Sequence, residues 1–269
     1  IYMEPMIEPF FHCDSYGYRP NKSAHDAIKV TRERCWKYGW ILEFDIRGMF
    51  DNIDHKLLLK AVQKHVQQHW LILYIERWIK APVEKKDESI VNRTKGVPQG
   101  GVISPLLANL FMHYVFDKWM ECNHPNIPFC RYADDGLLHC NTEQEAEFMK
   151  LKLMQRLEQC KLDLHQEKTK VACCTNKISL KSGVQRKFDF LGFQFRSRLC
   201  RSNQGKIFVG FTPAISPNAS QSIRSTIRKW KLNGRTHLDL WEIAKSLNPI
   251  IRGWINYYGK YTPSALTKV

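Results

Sequence analysis

The sequence predicts an α+β fold: an antiparallel sheet packed with helices, followed by an all-helical C-terminal region. Three observations carry this. Apolar runs of strand length alternate with amphipathic helical stretches, yet hairpin-like pairs occur among them instead of a strict strand–helix–strand repeat. The stretch FDFLGFQF (188–195) alternates aromatic with small or polar positions, a hairpin pattern. Beyond Pro213, Leu240, Ile243, Ala244, Leu247, Ile251, Trp254, Ile255 and Tyr258 form a helical stripe interrupted by Pro249. A domain limit is expected near Gly210, dividing residues 1–209 from 210–269.

Taken in order, residues 23–38 read as a helix, with Ala24, Ala27, Ile28, Val30 and Cys35 set among charges and Gly39 as its stop. WILEFDI (40–46) reads as a buried strand with Asp45 near its end. Residues 55–80 return to a helical pattern through Leu57, Leu58, Ala61, Val62, Leu71, Ile75 and Trp78. A Gly- and Pro-punctuated loop (96–105) precedes a helix through Leu106, Leu107, Leu110, Phe111 and Val115. FCRYADDGLLHC (129–140) is read as an apolar hairpin tipped by two aspartates, with Gly136 available for turn geometry. An amphipathic helix follows from Thr142 to Cys160, its stripe formed by Phe148, Leu151, Leu153, Met154 and Leu157.

Composition bounds the function. With 269 residues and 43% hydrophobic residues the chain can bury a sizeable core, which excludes a disordered tail. No apolar run reaches 18 residues, so no membrane span is expected, and no signal peptide is seen. Nine cysteines at irregular spacing, without a C-x-x-C pair, exclude a zinc ribbon and read as reduced, intracellular thiols. A bacterial cytoplasm or an organelle is the expected location. His65 and His69 have the spacing of a helical metal pair but lack the accompanying Glu, and are read as solvated helix residues. The net charge of +15 is uneven: from Arg186 to Val269 there are 15 basic and 3 acidic residues. Such a basic end on a nearly neutral body suits a polyanionic partner.

Asp134 and Asp135 invite a chemical reading. A buried strand ending in Asp45, beside a hairpin tipped with two more acids, would place three carboxylates in one pocket. Like charges that close are costly unless cations neutralise them. Mg²⁺, an oxygen-seeking ion, is the natural choice. Two such ions clamp the attacking and leaving oxygens of an in-line phosphoryl transfer.

YADD (132–135), with FDIRGMFDNIDH (44–55), resembles the palm of reverse transcriptases, and more specifically the maturase–reverse transcriptases encoded by group II introns. SYGYRPNKSAHDAI (15–28), GVPQGGVISPLLANLF (96–111), LDLHQEKTK (162–170) and FDFLGFQF continue the family's blocks in order, and LNPIIRGWINYYGKY (247–261) resembles its helical thumb, the maturase domain X. The resemblance implies a right-hand palm with partial fingers in residues 1–209 and an all-α thumb in 210–269. It implies an RNA-directed DNA polymerase that uses dNTPs, two Mg²⁺ ions (Mn²⁺ as a substitute), an RNA template and a DNA primer, and that binds its intron RNA and assists splicing. No membrane partner is implied, and monomer and homodimer both remain open.

By the same resemblance Asp45, Asp134 and Asp135 are catalytic and, with Ile46, form the metal site. Phe50 is the aromatic gate against a ribose 2′-OH, or else a core ring. Gln99 and Gly100 contact the incoming nucleotide. Lys168 approaches the pyrophosphate, or else is a solvated lysine at a helix end. Tyr132, Ser104, Pro105, Leu191 and Gly192 fall at primer or template positions. Arg224, Arg228 and Lys231 are expected on one cationic helix face beside an apolar stripe of Ile223, Ile227 and Trp230, suited to a nucleic-acid backbone. The family's upstream finger blocks are missing and the chain starts at Ile1, so a truncated chain is expected, inactive alone. Two other readings stand beside this one: a reverse transcriptase of a defence or CRISPR-associated system, and a maturase that only binds RNA.

Overall fold

The computed structural model describes residues 2–84, 88–175, 184–202, 204–234, 239–267 and 269. The chain forms two compact units, Ile1–Thr31 with Tyr38–Val171, and Arg32–Lys37 with Ala172–Val269.

In the first unit, helix α1 (Ala24–Cys35) starts where Ser23 and Asp26 exchange hydrogen bonds: Ser23 Oγ donates to Asp26 Oδ2 at 2.6 Å and the Asp26 amide donates to Ser23 Oγ at 3.2 Å. It ends at Cys35, before the Gly39 stop read from the sequence. Strand β1 (Trp40–Asp45) is buried along its length except at Glu43, which is half-buried. The expected helix over 55–80 is two helices, α2 (His55–Gln63) and α3 (His69–Lys80). Asp54 caps α2 by accepting the Leu57 amide at 3.0 Å. His65 and His69 thus do not share a helix: His65 Nε2 lies 2.7 Å from Tyr114 Oη, while His69 opens α3.

Helix α4 (Ser104–Met112), with Pro105 in its first turn, is buried from Leu107 to Met112. It continues through a π-helical turn, His113–Asp117, into a last helical stretch, Lys118–Asn123. Strands β2 (Phe129–Tyr132) and β3 (Asp135–Cys140) follow as a hairpin. Thr142 then caps helix α5 (Glu143–Gln159) through the Glu145 amide. The buried face of α5 is Ala146, Met149, Leu153 and Leu157. Phe148, Leu151 and Met154, assigned to that face from the sequence, are exposed. Short β4 (Lys170–Cys173) completes a core sheet of order β2-β3-β1-β4, in which β3 pairs antiparallel with both β2 and β1.

The second unit holds a meander of β5 (Lys187–Phe190), β6 (Phe193–Arg201) and β7 (Ile207–Ile215). Phe188 stacks on Phe195, centroids 4.7 Å apart, and both are buried. The sequence limit at 209/210 falls inside β7, so strand persists past the point where only helices are expected. Ser216 caps helix α6 (Pro217–Lys229), and a reciprocal Asp239–Glu242 capping box starts α7 (Leu240–Tyr258). Pro249 does not break α7, which runs through it as one helix. Trp230 and Trp254 stack at 5.7 Å, joining the end of α6 to α7.

Candidate active site

Register brings the acids together. In the β1–β3 pair Asp45 faces Asp135, and in the β2–β3 pair Tyr132 faces Asp135, which leaves Ala133 and Asp134 as a two-residue turn. The left-handed residue of this turn is Ala133, with φ 58°, not Gly136. A non-glycine in that region costs about 1–3 kcal/mol. Gly136 serves a different need: a Cβ there would meet Phe44 Cζ at 2.2 Å, so the glycine makes room for a buried ring. Phe44 and Gly136 are directly opposite in the ladder, one residue along from the Asp45–Asp135 pair.

The cluster lacks positive charge. Burial, then the charges of Asp134 and Asp45 and a hydrogen bond with Asp45, push the Asp135 carboxyl up to about 7. Burial first, and the Asp45 charge, also raise Asp134. Lys168 answers part of this deficit, its Nζ donating to Asp45 Oδ2 at 2.6 Å. That hydrogen bond, more than any other influence, raises the Lys168 ammonium. Lys168 is therefore neither free nor at a helix end. The three carboxylates do not all approach within 4.8 Å, a closeness that among the described residues His12, Cys13 and Asp14 reach. There His12 Nδ1 already accepts the Asp14 amide at 3.1 Å. The triad is a more open cradle of hard oxygen donors, short of cations and half-buried or buried, and this donor set fits divalent ions. Ile46 lies buried next to Asp45, bridged to Leu164.

Around the triad, Tyr18 meets Phe50 edge-on at 6.3 Å and lies 6.5 Å from Tyr132. The Phe50 carbonyl accepts the Val97 amide at 2.7 Å, which ties this short helix, Met49–Asn52, to the glycine-rich loop. Gln99 Nε2 donates to Asp51 Oδ2 at 3.0 Å. Gly100 has φ 86° with open space around it, and Ser104 is buried beneath Gly101 at the start of α4. In the second unit Leu191 (φ 51°) and Gly192 (φ 76°) form the two-residue turn of the β5–β6 hairpin. Tyr257 Oη donates to the Leu191 carbonyl at 2.9 Å, and a Cβ on Gly192 would sit 3.0 Å from Tyr258 Oη.

The same unit carries a groove of about 1060 Å³ lined by Arg196, Arg198, Arg224 and Arg228 with serines and glutamines, and, among the described residues, by no acidic side chain. Sequence reasoning found Arg224 and Arg228 but missed Arg196 and Arg198, whose signal is the RSR triplet that directly follows the aromatic hairpin pattern. It placed Lys231 on the α6 face, whereas Lys231 lies past the C-cap Trp230 with φ 45° and has left the helix. Arg131, also unflagged, is fully buried beneath the aspartate turn. Its signal is a lone cation inside an apolar strand.

Comparison with known proteins agrees with this geometry. Residues 2–195 match the family model described as reverse transcriptase (RNA-dependent DNA polymerase), and residues 220–269 match the group II intron, maturase-specific domain. Protein YkfC of Escherichia coli is 28% identical over 86% of this chain and 68% of its own length. The group II intron-encoded protein LtrA of Lactococcus lactis is 36% identical over 45% of this chain, a match that takes in 20% of LtrA. Among solved structures, apo telomerase from Candida tropicalis truncated from its C-terminal domain shares the fold, with TM-score 0.52 and 16% identity over 77% of this chain and 42% of that one. The chain therefore belongs to the reverse transcriptase family, and its residues 220–269 match the group II intron, maturase-specific domain.

Proposed function

We propose that this chain carries the polymerase centre of an RNA-directed DNA polymerase of group II intron type, extending a DNA primer on an RNA template with dNTPs. On this reading residues 1–209 are palm and partial fingers, and residues 210–269 a thumb that binds intron RNA and assists splicing. The observation that carries it is the cross-strand pairing of Asp45 with Asp135, with Asp134 at the adjoining turn and, among the described residues, no cation but Lys168 bonded to them. Asp45, Asp134 and Asp135, with Ile46 alongside, would hold the divalent ions. Such ions supply charge neutralisation at the attacking and leaving oxygens of an in-line displacement.

The remaining groups belong to the chain itself. The Phe50 ring, held against Tyr18, excludes a 2′-hydroxyl from the sugar position. Gln99 and Gly100 offer a side-chain amide and open backbone to the nucleotide. Lys168, already holding Asp45, brings a cation toward the triphosphate. Ser104 and Pro105 start the helix under the template, with Tyr132 at the hairpin shoulder. Leu191 and Gly192 form a rigid turn for the primer end, and the arginine groove grips phosphates.

Primer extension on an RNA template with dNTPs and Mg²⁺, by the complete open reading frame that holds this sequence, tests the proposal. Asp134→Ala is expected to abolish extension while circular dichroism and RNA affinity stay near those of the parent chain. Undiminished extension by that variant at saturating Mg²⁺ would remove the metal assignment. The RNA-only reading is the outcome if the protein of the complete open reading frame binds RNA and fails to extend with all three carboxylates present.

A further inference from the structure

The aspartate turn rests on a buried polar floor that the proposed chemistry does not touch. Arg131 Nε and Nη2 donate to the two oxygens of Asp117, each at 2.7 Å, a bidentate pair with both side chains fully buried. The same guanidinium has three further partners. Nη1 donates to the carbonyl of Ala133 at 3.0 Å and to Asn109 Oδ1 at 3.2 Å, and Nη2 donates to Ser15 Oγ at 2.8 Å. Asn109 Nδ2 in turn donates to the Gly17 carbonyl at 2.6 Å. Gly17 lies against the turn from the other side, where a Cβ would meet the Ala133 amide nitrogen at 2.6 Å.

Backbone contacts close the frame. The Arg131 amide donates to the Asp14 carbonyl and the Tyr16 amide to the Arg131 carbonyl, so residues 14–16 run beside β2 as an added edge. Arg19 secures that segment, donating to the carbonyls of His12 and Ser15 and to Glu8 Oε1. Asp117, Asn109, Ser15 and Ala133 thus share one guanidinium, and the carbonyl it holds is that of the left-handed Ala133, whose neighbour is Asp134.

We propose that Arg131 is a positioning residue that sets where Asp134 and Asp135 present their oxygens, and that the SYGYRP segment acts as the other jaw of this clamp. The proposal deepens the polymerase reading and rests on it for the metal-dependent step. Stability alone does not ask for such a network, since a buried ion pair is often replaceable by apolar residues of similar volume without loss. What apolar residues would not supply is a donor to the Ala133 carbonyl. Two strands leave the turn in fixed register, and the clamp holds Ala133, the first of the two turn residues that lie outside the ladder.

Two variants act on the turn by different routes. Arg131→Lys keeps a buried cation for Asp117 and loses the planar fork that reaches Ala133 and Ser15 together. Gly17→Ala leaves the ion pair whole and presses a methyl on the Ala133 amide. Each is measured for folding by thermal unfolding, for Mn²⁺ affinity by EPR titration, and for primer-extension kcat and KM, with Asp134→Ala as the reference for a lost ligand. Both are expected to weaken Mn²⁺ binding about tenfold and to lower kcat by about ten- to a hundredfold with KM for dNTP little changed, the signature of displaced reacting groups. If Arg131→Lys does not fold, Gly17→Ala decides alone. Folded variants with parental Mn²⁺ affinity and kcat overturn the proposal, as does a loss of kcat that follows the unfolded fraction and nothing else. Weakened Mn²⁺ binding in the variants, in a complete open reading frame that never extends a primer, supports the clamp and refutes the polymerase reading.

Discussion

The proton on Asp135 is the residue-scale feature with the largest measurable consequence. Its carboxyl titrates near 7 instead of 3.8. Between those values the folded chain holds a proton that the unfolded chain has released, so this group favours the fold below pH 4 and loses that contribution as pH rises through 7. Without divalent ions, Asp135→Asn should therefore raise the melting temperature by several degrees at pH 8, for at most about 4 kcal/mol of relieved strain. The gain should shrink toward pH 4. Thermal scans across that range check it, and a gain independent of pH would mean that the carboxylate is not the group responsible. Phe50 gives a second residue-scale test. Phe50→Val should raise ribonucleotide incorporation relative to deoxyribonucleotide, read as the ratio of the two kcat/KM values, because ring volume is the proposed discriminator. An unchanged ratio would return Phe50 to the set of ordinary packing rings beside Tyr18. The acids were legible in the sequence because each is a charge framed by apolar residues. Arg131 had the same kind of frame, but its partners Asp117, Asn109 and Ser15 come from distant stretches, and no local spacing announces them.

At the scale of elements, pattern reading succeeded where one face alone decides and failed where neighbours decide. The hairpin at 188–195 and the helical start at Thr142 follow from alternation and capping, both local. On α5 the apolar stripe is ambiguous, and packing buries Ala146 and Met149 in preference to Phe148 and Leu151. Pro249 shows the limit of a propensity rule, since α7 has enough turns on either side to absorb one missing amide. The cationic face of α6 turns out to be one wall of a groove, with Arg196 and Arg198 of β6 lining it as well. Burial and the adjacent Arg196 charge lower the Arg198 guanidinium, the situation of a cation lacking a counter-ion. Changing Arg196, Arg198, Arg224 and Arg228 to Gln should weaken RNA binding across unrelated sequences and flatten the plot of log K against log salt by about three units, at roughly 0.7–0.9 per phosphate contact. Filter-binding titrations at graded salt measure this. An unaltered slope would make these arginines solvated surface.

For the whole molecule, the α+β class and the order of its elements were readable, while the partition was not. The limit at 210 rests on the change from strand pattern to helix pattern, whereas compactness follows contacts and divides the chain after Val171, taking the end of α1 into the second unit. The acids thin out after Glu167, close to that division. Among the described residues no helix is long and apolar enough to cross a membrane.

The π-helical turn at His113–Asp117 bears on how this chain tolerates change in length. Such a turn holds one residue more than a regular helix would over the same rise. Losing one residue ahead of Asp117 would let ordinary winding close over the same rise, with the flanking helices keeping their phase. Losing Asp117 itself would leave the guanidinium of Arg131 beside Phe116 or Lys118, neither of which can accept its hydrogen bonds. With His113, Val115, Phe116 and Asp117 buried, the turn tolerates a change of length more readily than a change of spelling.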